Sequence, residues 1–310
     1  MTNSLRIATR QSPMAMFQAN EIKKSLQALH PSLNIEIIGF STKGDRELSM
    51  PLKDIGGKSL FVKELQHALL NQQADIAVHC IKDMSVRTVP GLILATICNR
   101  DDPRDAFVSN KYHKLSELPK EAIVGTSSPR RQCLLKHLRP DLSIKDLRGN
   151  VNTRLKKLDD NEYDAIILAA AGLERLDLTH RIREYLPAHI FTPAIGQGAL
   201  GIECRTDDLH TQALIKQLND KKAATCITAE RAVNTILGGD CHTPLGAYAV
   251  LKSKYWFSKK RIFIKAFVGC TNTGKMIHAE LQGTQKNATQ LGQRLGQMLL
   301  DKGAGKYINV

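Results

Sequence analysis

The sequence lacks the cysteine patterns that mark disulfide-rich or zinc-binding proteins. Its seven cysteines are odd in number, scattered along the chain and never spaced as C-x-x-C. A disulfide framework and a zinc site both need regular cysteine spacing, so neither is indicated and we predict no metal. Six of the seven, all except Cys241, are expected to be small core residues.

Long apolar runs and nucleotide-binding motifs are also missing. The longest apolar run, Ala165–Leu173, is far short of the roughly 18 residues that span a bilayer. Residues 1–10 contain no apolar stretch typical of a secretory signal, so we expect a cytoplasmic protein without a membrane partner. Neither G-x-x-x-x-G-K-[ST] nor G-x-G-x-x-G after a strand occurs, which argues against a nucleotide enzyme.

Basic residues are abundant. The 310 residues carry a formal net charge of +14, with 42% hydrophobic and 24% charged residues. This composition predicts a globular protein of two or three domains with an acidic partner, either nucleic acid or a metabolite rich in carboxylate or phosphate. The basic residues are dispersed, aromatics are only 5% and no readout motif occurs, so we predict no nucleic-acid partner.

Strand and helix patterns alternate in the N-terminal half, which predicts α/β units around a mostly parallel sheet. Buried strands are predicted at Ala74–Val78 and Asp164–Ala170. The apolar spacing after Ser12 predicts a helix whose core face carries Ala15, Ala19, Ile22, Leu26 and Leu29.

Thr9–Pro13 and Thr126–Pro129 both place serine and proline where a strand passes into a helix. This short repeat predicts two similar α/β lobes whose helix N-termini face a shared cleft. From about Lys221 the order becomes helix, three strands and helix, which predicts a small α+β domain and three domains in total.

Arginines stand at several predicted junctions between strands and helices. Arg130 and Arg131 lie in the first turn of a predicted helix, where the helix dipole disfavours cations. We find no structural reason in the sequence for that placement, whereas a bound anion would explain it. The arginines at such positions are Arg10, Arg130, Arg131, Arg148, Arg154 and Arg175.

Three further positions could carry chemistry, each with an ordinary alternative. Asp83 follows a buried strand and either stabilises a cation or transfers a proton, or only caps the next turn. Cys241 lies in a Gly-Gly-Asp-Cys loop that favours an exposed side chain, although a lone cysteine is usually structural. Lys58 ends a polar, glycine-rich stretch that is either a mobile lid or a plain surface loop.

Ordered motifs along nearly the whole chain resemble the porphobilinogen deaminase family of tetrapyrrole-pathway enzymes, also called hydroxymethylbilane synthases. The motifs that carry this resemblance are Arg6–Pro13, Gly56–Glu64, Asp75–Asp83, Asp101–Phe107, Gly125–Arg131, Leu147–Asn150, Pro193–Gly201 and the Cys241 loop.

The resemblance implies two α/β lobes like those of periplasmic binding proteins, followed by a small α+β domain. The first lobe would comprise residues 1–98 with the return segment 195–218, the second 99–194, and the C-terminal domain 219–310. It also implies a monomer that adds four porphobilinogen molecules stepwise to a covalent dipyrromethane cofactor, releases ammonia at each addition and yields linear hydroxymethylbilane.

The resemblance also implies roles for individual residues. Asp83 would be catalytic, and Cys241 would hold the cofactor through a thioether while Lys58 belongs to a lid. The other implied cofactor-binding residues, besides Asp83 itself, are Lys82, Thr126, Ser127, Ser128, Arg130, Arg131 and Arg154. The implied substrate-binding residues are Arg10, Ser12, Arg148, Arg154, Arg175 and Gln197.

Some positions depart from the family pattern. Asp54 stands where lysine is frequent, Ser59 where glycine is frequent, and Met84–Ser85 where an aliphatic residue and proline are usual. These differences bear on the charge and flexibility of the lid.

A non-catalytic anion-binding protein of the same two-lobed design is the main alternative. That alternative gives Cys241 and the third domain no role.

Overall fold

The computed structural model describes residues 4–42, 62–240, 242–253 and 260–308. The chain divides into two compact units, residues 1–100 with 199–224 and residues 101–198 with 225–310. The strands are β1 (Ser4–Arg10), β2 (Asn34–Phe40), β3 (Ile76–Cys80), β4 (Leu92–Arg100), β5 (Asp105–Val108), β6 (Ile123–Gly125), β7 (Ser143–Lys145), β8 (Ala165–Ala169), β9 (Glu184–Leu186), β10 (Ala199–Arg205), β11 (Leu245–Lys252), β12 (Arg261–Gly269) and β13 (Met276–Thr284). The α-helices are α1 (Pro13–Leu29), α2 (Lys63–Leu70), α3 (Pro129–Leu138), α4 (Val151–Asp159), α5 (Ala170–Glu174), α6 (Leu209–Lys216), α7 (Lys221–Leu237) and α8 (Ala288–Asp301).

The first unit is a five-stranded sheet with helices on both faces. Its strand order is β2-β1-β3-β10-β4, in which β1 is parallel to β2 and β3, and β10 is antiparallel to β3 and β4. Helices α1 and α6 cover one face through residues such as Ile22 and Ile215. Helix α2 covers the other face with Leu65 and Leu69. These are the two helical layers that a mostly parallel sheet needs.

Helix α1 begins as the sequence predicts. Ser12 is its N-cap and Pro13 its first residue, a combination that satisfies a free backbone amide and presets the helical φ angle. The predicted core positions Ala15, Ala19, Ile22 and Leu26 are buried. Leu29 was also predicted to face the core and is instead 47% exposed, because it is the last residue of the helix.

The second unit contains a sheet of the same design and a small C-terminal layer. The order β7-β6-β8-β5-β9 repeats the first sheet, with β6, β7 and β8 parallel and β5 antiparallel to β8 and β9. Helix α3 packs on one face through Leu134 and Leu135, and α4 and α5 pack on the other through Leu155 and Leu173. The internal repeat predicted from two short motifs therefore extends to strand order.

The C-terminal layer is an antiparallel sheet in the order β11-β12-β13. One sheet face packs against α7 and α8 in a separate apolar core. Gly292 and Gly296 of α8 lie against the backbone of α7, where an added Cβ would collide with carbonyl oxygens. Phe267 belongs to the core formed around α3, so the C-terminal layer and the α3 side of the sheet share apolar packing.

The structure confirms an α/β fold of two lobes with a small α+β C-terminal domain. The domain boundaries predicted from the family resemblance remain a prediction. The cysteine expectation holds for Cys98, Cys133, Cys204 and Cys226, which are buried, whereas Cys80 and Cys270 are only partly buried. Cys80 is partly exposed at the end of β3, where its thiol bonds to the Gln18 side chain.

Candidate active site

The carboxyl edge of the first sheet carries Arg10, Ser12, Lys82 and Asp83. Strands β1 and β3 run parallel, so the segments after Arg10 and Cys80 leave the sheet at the same edge. After β3 the chain forms a single 3₁₀ turn, Ile81–Asp83. Ile81 is buried and anchors this turn, while Lys82 and Asp83 are exposed. The strand thus delivers a carboxylate and an ammonium group to the edge where α/β proteins bind ligands.

Among the described residues, Asp83 caps no helix or turn. At the end of its 3₁₀ turn the Met84 amide donates to the Ile81 carbonyl, and the structure records no hydrogen bond or ion pair from the described residues to the Asp83 carboxylate. The capping alternative therefore finds no support in the described part of the chain. An exposed carboxylate held by a buried strand end is instead able to meet a cation.

The carboxyl edge of the second sheet gathers arginines and an aspartate. Strands β6, β7 and β8 are parallel, and they lead into Thr126–Ser128, Arg148–Asn150 and α5 with Arg175. Strand β5 runs the opposite way, so its first residue, Asp105, lies beside Ala169 at this same edge. Topology thus brings the predicted second-lobe residues together, with a carboxylate that the sequence analysis did not single out.

Arg130 and Arg131 are buried around Asp105, which corrects the view that their placement has no structural reason. Arg130 Nη1 donates to Asp105 Oδ2 over 2.8 Å, and Arg131 Nε donates to Oδ1 over 2.9 Å. Arg130 is 4% exposed, Arg131 6% and Asp105 0%. Burial favours the neutral form of Asp105, but the two guanidinium groups outweigh it and lower the pKa to about 2. The cluster holds two cations and one anion, which leaves one surplus positive charge.

The N-termini of α1 and α3 differ although both begin with Ser-Pro. The Ser12 hydroxyl accepts the Ala15 amide over 3.4 Å. Within the described residues, the Ser128 hydroxyl makes no such capping bond to α3. The first-turn amides of this ten-residue helix therefore lack the side-chain acceptor that α1 has. Such a terminus is suited to an external anion.

The loop before α3 is fixed from within. The Ser127 hydroxyl both donates to the Leu147 carbonyl, over 3.1 Å, and accepts the Leu147 amide, over 3.0 Å. Thr126 is 2% exposed, and its hydroxyl accepts the Ser128 amide. Both hydroxyl groups form hydrogen bonds within the loop. The predicted cofactor contacts of Thr126 and Ser127 would therefore have to be made by other atoms of these residues. Ser127 also holds the segment that leads into Arg148.

Arg148, Arg154 and Arg175 are partly buried at the same edge. The Arg154 Nε donates to the Gly149 carbonyl over 2.7 Å, in the loop where Asn150 caps α4 by accepting the Thr153 amide. The Arg175 Nε donates to Asp101 over 2.8 Å, and its Nη2 donates to the Gly198 carbonyl over 2.9 Å. The guanidinium groups of Arg154 and Arg175 are therefore held in place by the protein.

Gln197 lies inside the Asp105 cluster. Its side-chain amide donates to the Pro103 carbonyl over 2.7 Å and to Asp105 Oδ1 over 3.1 Å, and the residue is 1% exposed. These bonds place Gln197 among the residues that hold Asp105. The substrate contact predicted for its side chain stays a prediction.

The cysteine loop has ordered flanks. The Asn234 side chain donates to the Gly239 carbonyl over 3.1 Å, and Asp240 Oδ1 accepts the His242 amide over 3.0 Å. Gly238 has a φ of +69°, a conformation that favours glycine. Cys241 itself and the predicted lid residue Lys58, with Asp54 and Ser59, lie outside the described residues.

Sequence reasoning missed the roles of Asp101 and Asp105. Both belong to the segment Asp101–Asp105, in which the third aspartate, Asp102, binds Arg104. A signal was present, because three aspartates in five residues are unusual in a chain so rich in arginine. Matching those carboxylates to the unexplained arginines of α3 would have indicated the buried cluster.

Solved structures similar to this chain include several bacterial binding proteins. They include a Bacillus subtilis lipoprotein described as methionine-binding (16% identity, 71% of this chain and 92% of that one, TM-score 0.47), a Burkholderia cenocepacia nutrient-binding protein bound to methionine (14%, 68% and 90%, 0.43) and a Coxiella burnetii ABC-transporter periplasmic substrate-binding protein (15%, 73% and 96%, 0.44). Separately, none of the helices in the described ranges has the length and apolar character of a membrane span.

Two family models together match nearly the whole chain. Residues 5–213 match "Porphobilinogen deaminase, dipyromethane cofactor binding domain" and residues 224–301 match "Porphobilinogen deaminase, C-terminal domain". The first match alone spans well over half of the chain, and together they favour the enzyme over a non-catalytic anion-binding protein. The chain therefore belongs to the porphobilinogen deaminase family, the hydroxymethylbilane synthases, which carry a dipyrromethane cofactor and act as transferases in tetrapyrrole synthesis.

Proposed function

We propose that this protein condenses four porphobilinogen molecules head to tail, with loss of ammonia at each step, and releases linear hydroxymethylbilane. The observation that carries the proposal is the surplus of positive charge at the carboxyl edge of the second sheet. Each porphobilinogen contributes an acetate and a propionate, so a growing chain accumulates carboxylates. Guanidinium groups bind carboxylates through paired, planar hydrogen bonds, which lysine does not provide.

The dipyrromethane cofactor fits the second-lobe residues. Arg130 Nε is buried and has no hydrogen-bond partner within the described residues, and the start of α3 lacks a side-chain cap there. An arriving carboxylate would satisfy both. Lys82, Asp83, Ser128, Arg130, Arg131 and Arg154 are the residues we propose for cofactor binding, with Thr126 and Ser127 shaping the loop. When bound, the cofactor supplies a nucleophilic pyrrole carbon, tethered through the Cys241 sulfur.

Asp83 is the proposed catalytic residue. Loss of ammonia from porphobilinogen leaves a cationic azafulvene, and a fixed carboxylate stabilises such a cation electrostatically. The structure supports this role because Asp83 is exposed in a turn that the buried Ile81 anchors to β3, and no described residue neutralises it. Lys82, beside it in the same turn, is suited to a carboxylate of the substrate or cofactor.

Arg10, Ser12, Arg148, Arg154, Arg175 and Gln197 are the proposed substrate-binding residues. Arg154 and Arg175 are oriented by backbone carbonyls, which reduces the entropy lost when they bind a carboxylate. Ser12 uses its hydroxyl to cap α1, so its contribution would come from accepting or donating a second bond. A cytoplasmic monomer with a lid near Lys58 remains our prediction.

Intact-mass measurement tests the proposal. We expect the purified protein to carry a covalent excess equal to one dipyrromethane, and Cys241→Ser to lack it. Incubation with porphobilinogen should then give discrete further increments in the wild type only. A wild-type protein of unmodified mass that remains unmodified after incubation would sink the proposal. Cys270→Ser is the matched control, since Cys270 is partly exposed and no role is assigned to it.

A further inference from the structure

Asp105 is bound by an unusually large set of donors for one side chain. Oδ2 accepts Arg130 Nη1, while Oδ1 accepts Arg130 Nη2 over 3.1 Å and Arg131 Nε over 2.9 Å. Arg131 Nη2 also lies 2.7 Å from Oδ1, and Gln197 donates to the same oxygen. A carboxylate so surrounded fixes the planes of both guanidinium groups at once.

Two backbone carbonyls complete the positions of the arginines. Arg130 Nη1 also donates to the Thr192 carbonyl and Arg131 Nη1 to the Ile167 carbonyl, each over 2.8 Å. The terminal nitrogens of Arg130 are thereby directed toward Asp105 and Thr192. Its Nε is buried and has no partner within the described residues. A buried donor without an acceptor is costly, so this atom indicates a missing ligand.

Charge balance points to the same conclusion. Without Asp105, two adjacent guanidinium groups would be buried with no counter-ion, and their desolvation and mutual repulsion would be severe. With Asp105, one positive charge remains, which matches one carboxylate. The cluster also lies in the first turn of α3, whose amides lack a described side-chain cap.

We propose that Asp105 is a positioning residue for cofactor attachment: it holds Arg130 and Arg131 so that Arg130 Nε and one surplus positive charge receive a single carboxylate of the dipyrromethane. This inference rests on the proposed function. Asp105 makes no contact with the cofactor in this role and acts only through the two arginines.

The test uses Asp105→Asn with Asp102→Asn as matched control. Asp102 lies in the same segment and also binds an arginine, Arg104, which is 41% exposed at its side chain. Protein made in a host unable to supply porphobilinogen is mixed with porphobilinogen, and the covalent mass excess is followed with time. We expect folded Asp105→Asn to load about tenfold or more slowly, because misplaced binding groups lose effective orientation, and Asp102→Asn to load like the wild type.

A purely structural role makes a different prediction about loading: stability would fall in both cases, but the folded fraction of Asp105→Asn would then load at the wild-type rate. That result would overturn the inference and leave the proposed function intact. A wild-type protein that never gains mass would overturn both. The two failures are therefore distinguishable.

The conservative variant Asp105→Glu separates charge from exact placement. It keeps a carboxylate beside Arg130 and Arg131, so the cluster again carries one surplus positive charge, while the longer side chain shifts the acceptor oxygens. We expect Asp105→Glu to load faster than Asp105→Asn and more slowly than the wild type, and it carries the test if Asp105→Asn is insoluble. Loading of Asp105→Glu at or below the rate of Asp105→Asn, or, without soluble Asp105→Asn, below one-hundredth of the wild-type rate, would overturn the inference.

Discussion

The two five-stranded sheets have the same strand order, but the carboxylates at their carboxyl edges have opposite environments. In the first lobe, Asp83 stands exposed, and no described residue pairs with it. In the second lobe, Asp105 at the equivalent edge is fully buried and bound by Arg130 and Arg131. The fold supplies equivalent edges, although Asp83 follows a parallel strand and Asp105 begins the antiparallel one. The partners of each carboxylate decide whether it is available for chemistry or holds other groups.

This contrast also separates the two aspartates in energetic terms. A buried carboxylate bound by two guanidinium groups contributes to stability mainly because its removal leaves two buried positive charges without a counter-ion. An exposed carboxylate without partners contributes little to folding. The two lobes should therefore respond to the same substitution, aspartate to asparagine, with a loss of stability in one case and a loss of catalysis in the other.

The largest expected effect is on stability in the second lobe. Asp105→Asn should reduce the free energy of unfolding by about 3–5 kcal/mol, as when one partner of a buried ion pair is removed. Denaturant unfolding of wild type, Asp105→Asn and Asp102→Asn measures it. Asp102→Asn, which weakens a more exposed pair with Arg104, should cost about 1 kcal/mol or less. Equal losses in the two variants would contradict the distinction.

The stability contribution of Asp105 should also depend on pH in a defined direction. Its pKa falls from 3.8 to about 2 on folding, so the folded state favours the ionised form. That contribution is complete above about pH 4 and is lost as the pH falls from 3.8 through about 2. The stability gap between wild type and Asp105→Asn should hence be constant near neutrality and narrow below pH 4. A gap that widens in acid would contradict the ion-pair explanation.

The next largest effect is on catalysis in the first lobe. Asp83→Asn should lower kcat by about 100-fold or more, because it removes the charge that stabilises a cationic intermediate, while the melting temperature stays unchanged. Steady-state kinetics and thermal unfolding measure the two quantities. Glu21→Gln is the control, since Glu21 is an exposed carboxylate on α1 whose ion-pair partner within the described part of the chain is the exposed Lys24. Near-normal turnover in Asp83→Asn would remove Asp83 from the mechanism.

A smaller effect is expected from a second-lobe arginine outside the buried cluster. Arg148→Ala should raise KM for porphobilinogen about tenfold, equivalent to the loss of roughly 1.4 kcal/mol of binding. Arg181→Ala is the matched control, because Arg181 binds Asp159 at the surface. If both substitutions change KM equally, net charge rather than a specific contact would explain the affinity.

The sequence predicted the elements that lead to the site better than the contacts inside it. The Ser-Pro repeat identified the starts of α1 and α3. Short apolar runs rich in β-branched residues predicted the bounds of β3 and β8 to within about two residues of those observed. These features are local, since they depend on caps and on alternation along one segment. The order of the strands is not local, and β5 and β10 join their sheets across large sequence separations.

The burial of Arg130 and Arg131 is the clearest case of information that local patterns do not contain. Their first-turn position opposes the helix dipole, from which we predicted a bound anionic ligand. The anion found is Asp105, 25 residues upstream of Arg130, and only the antiparallel insertion of β5 beside β8 brings it there. The inference of negative charge was sound, while the identity of its nearest source depended on tertiary structure.

The smallest expected effect tests whether the two Ser-Pro helix starts serve different purposes. Ser12→Ala should cost about 0.5–1 kcal/mol, because the Ser12 hydroxyl accepts the Ala15 amide and that bond is lost. Ser128→Ala should cost close to nothing, since the described residues show no capping bond from Ser128 to α3. Denaturant unfolding of both variants gives the comparison directly. Equal costs would mean that α3 is capped like α1 in solution, and its N-terminus would then be no more open to a carboxylate than that of the first lobe.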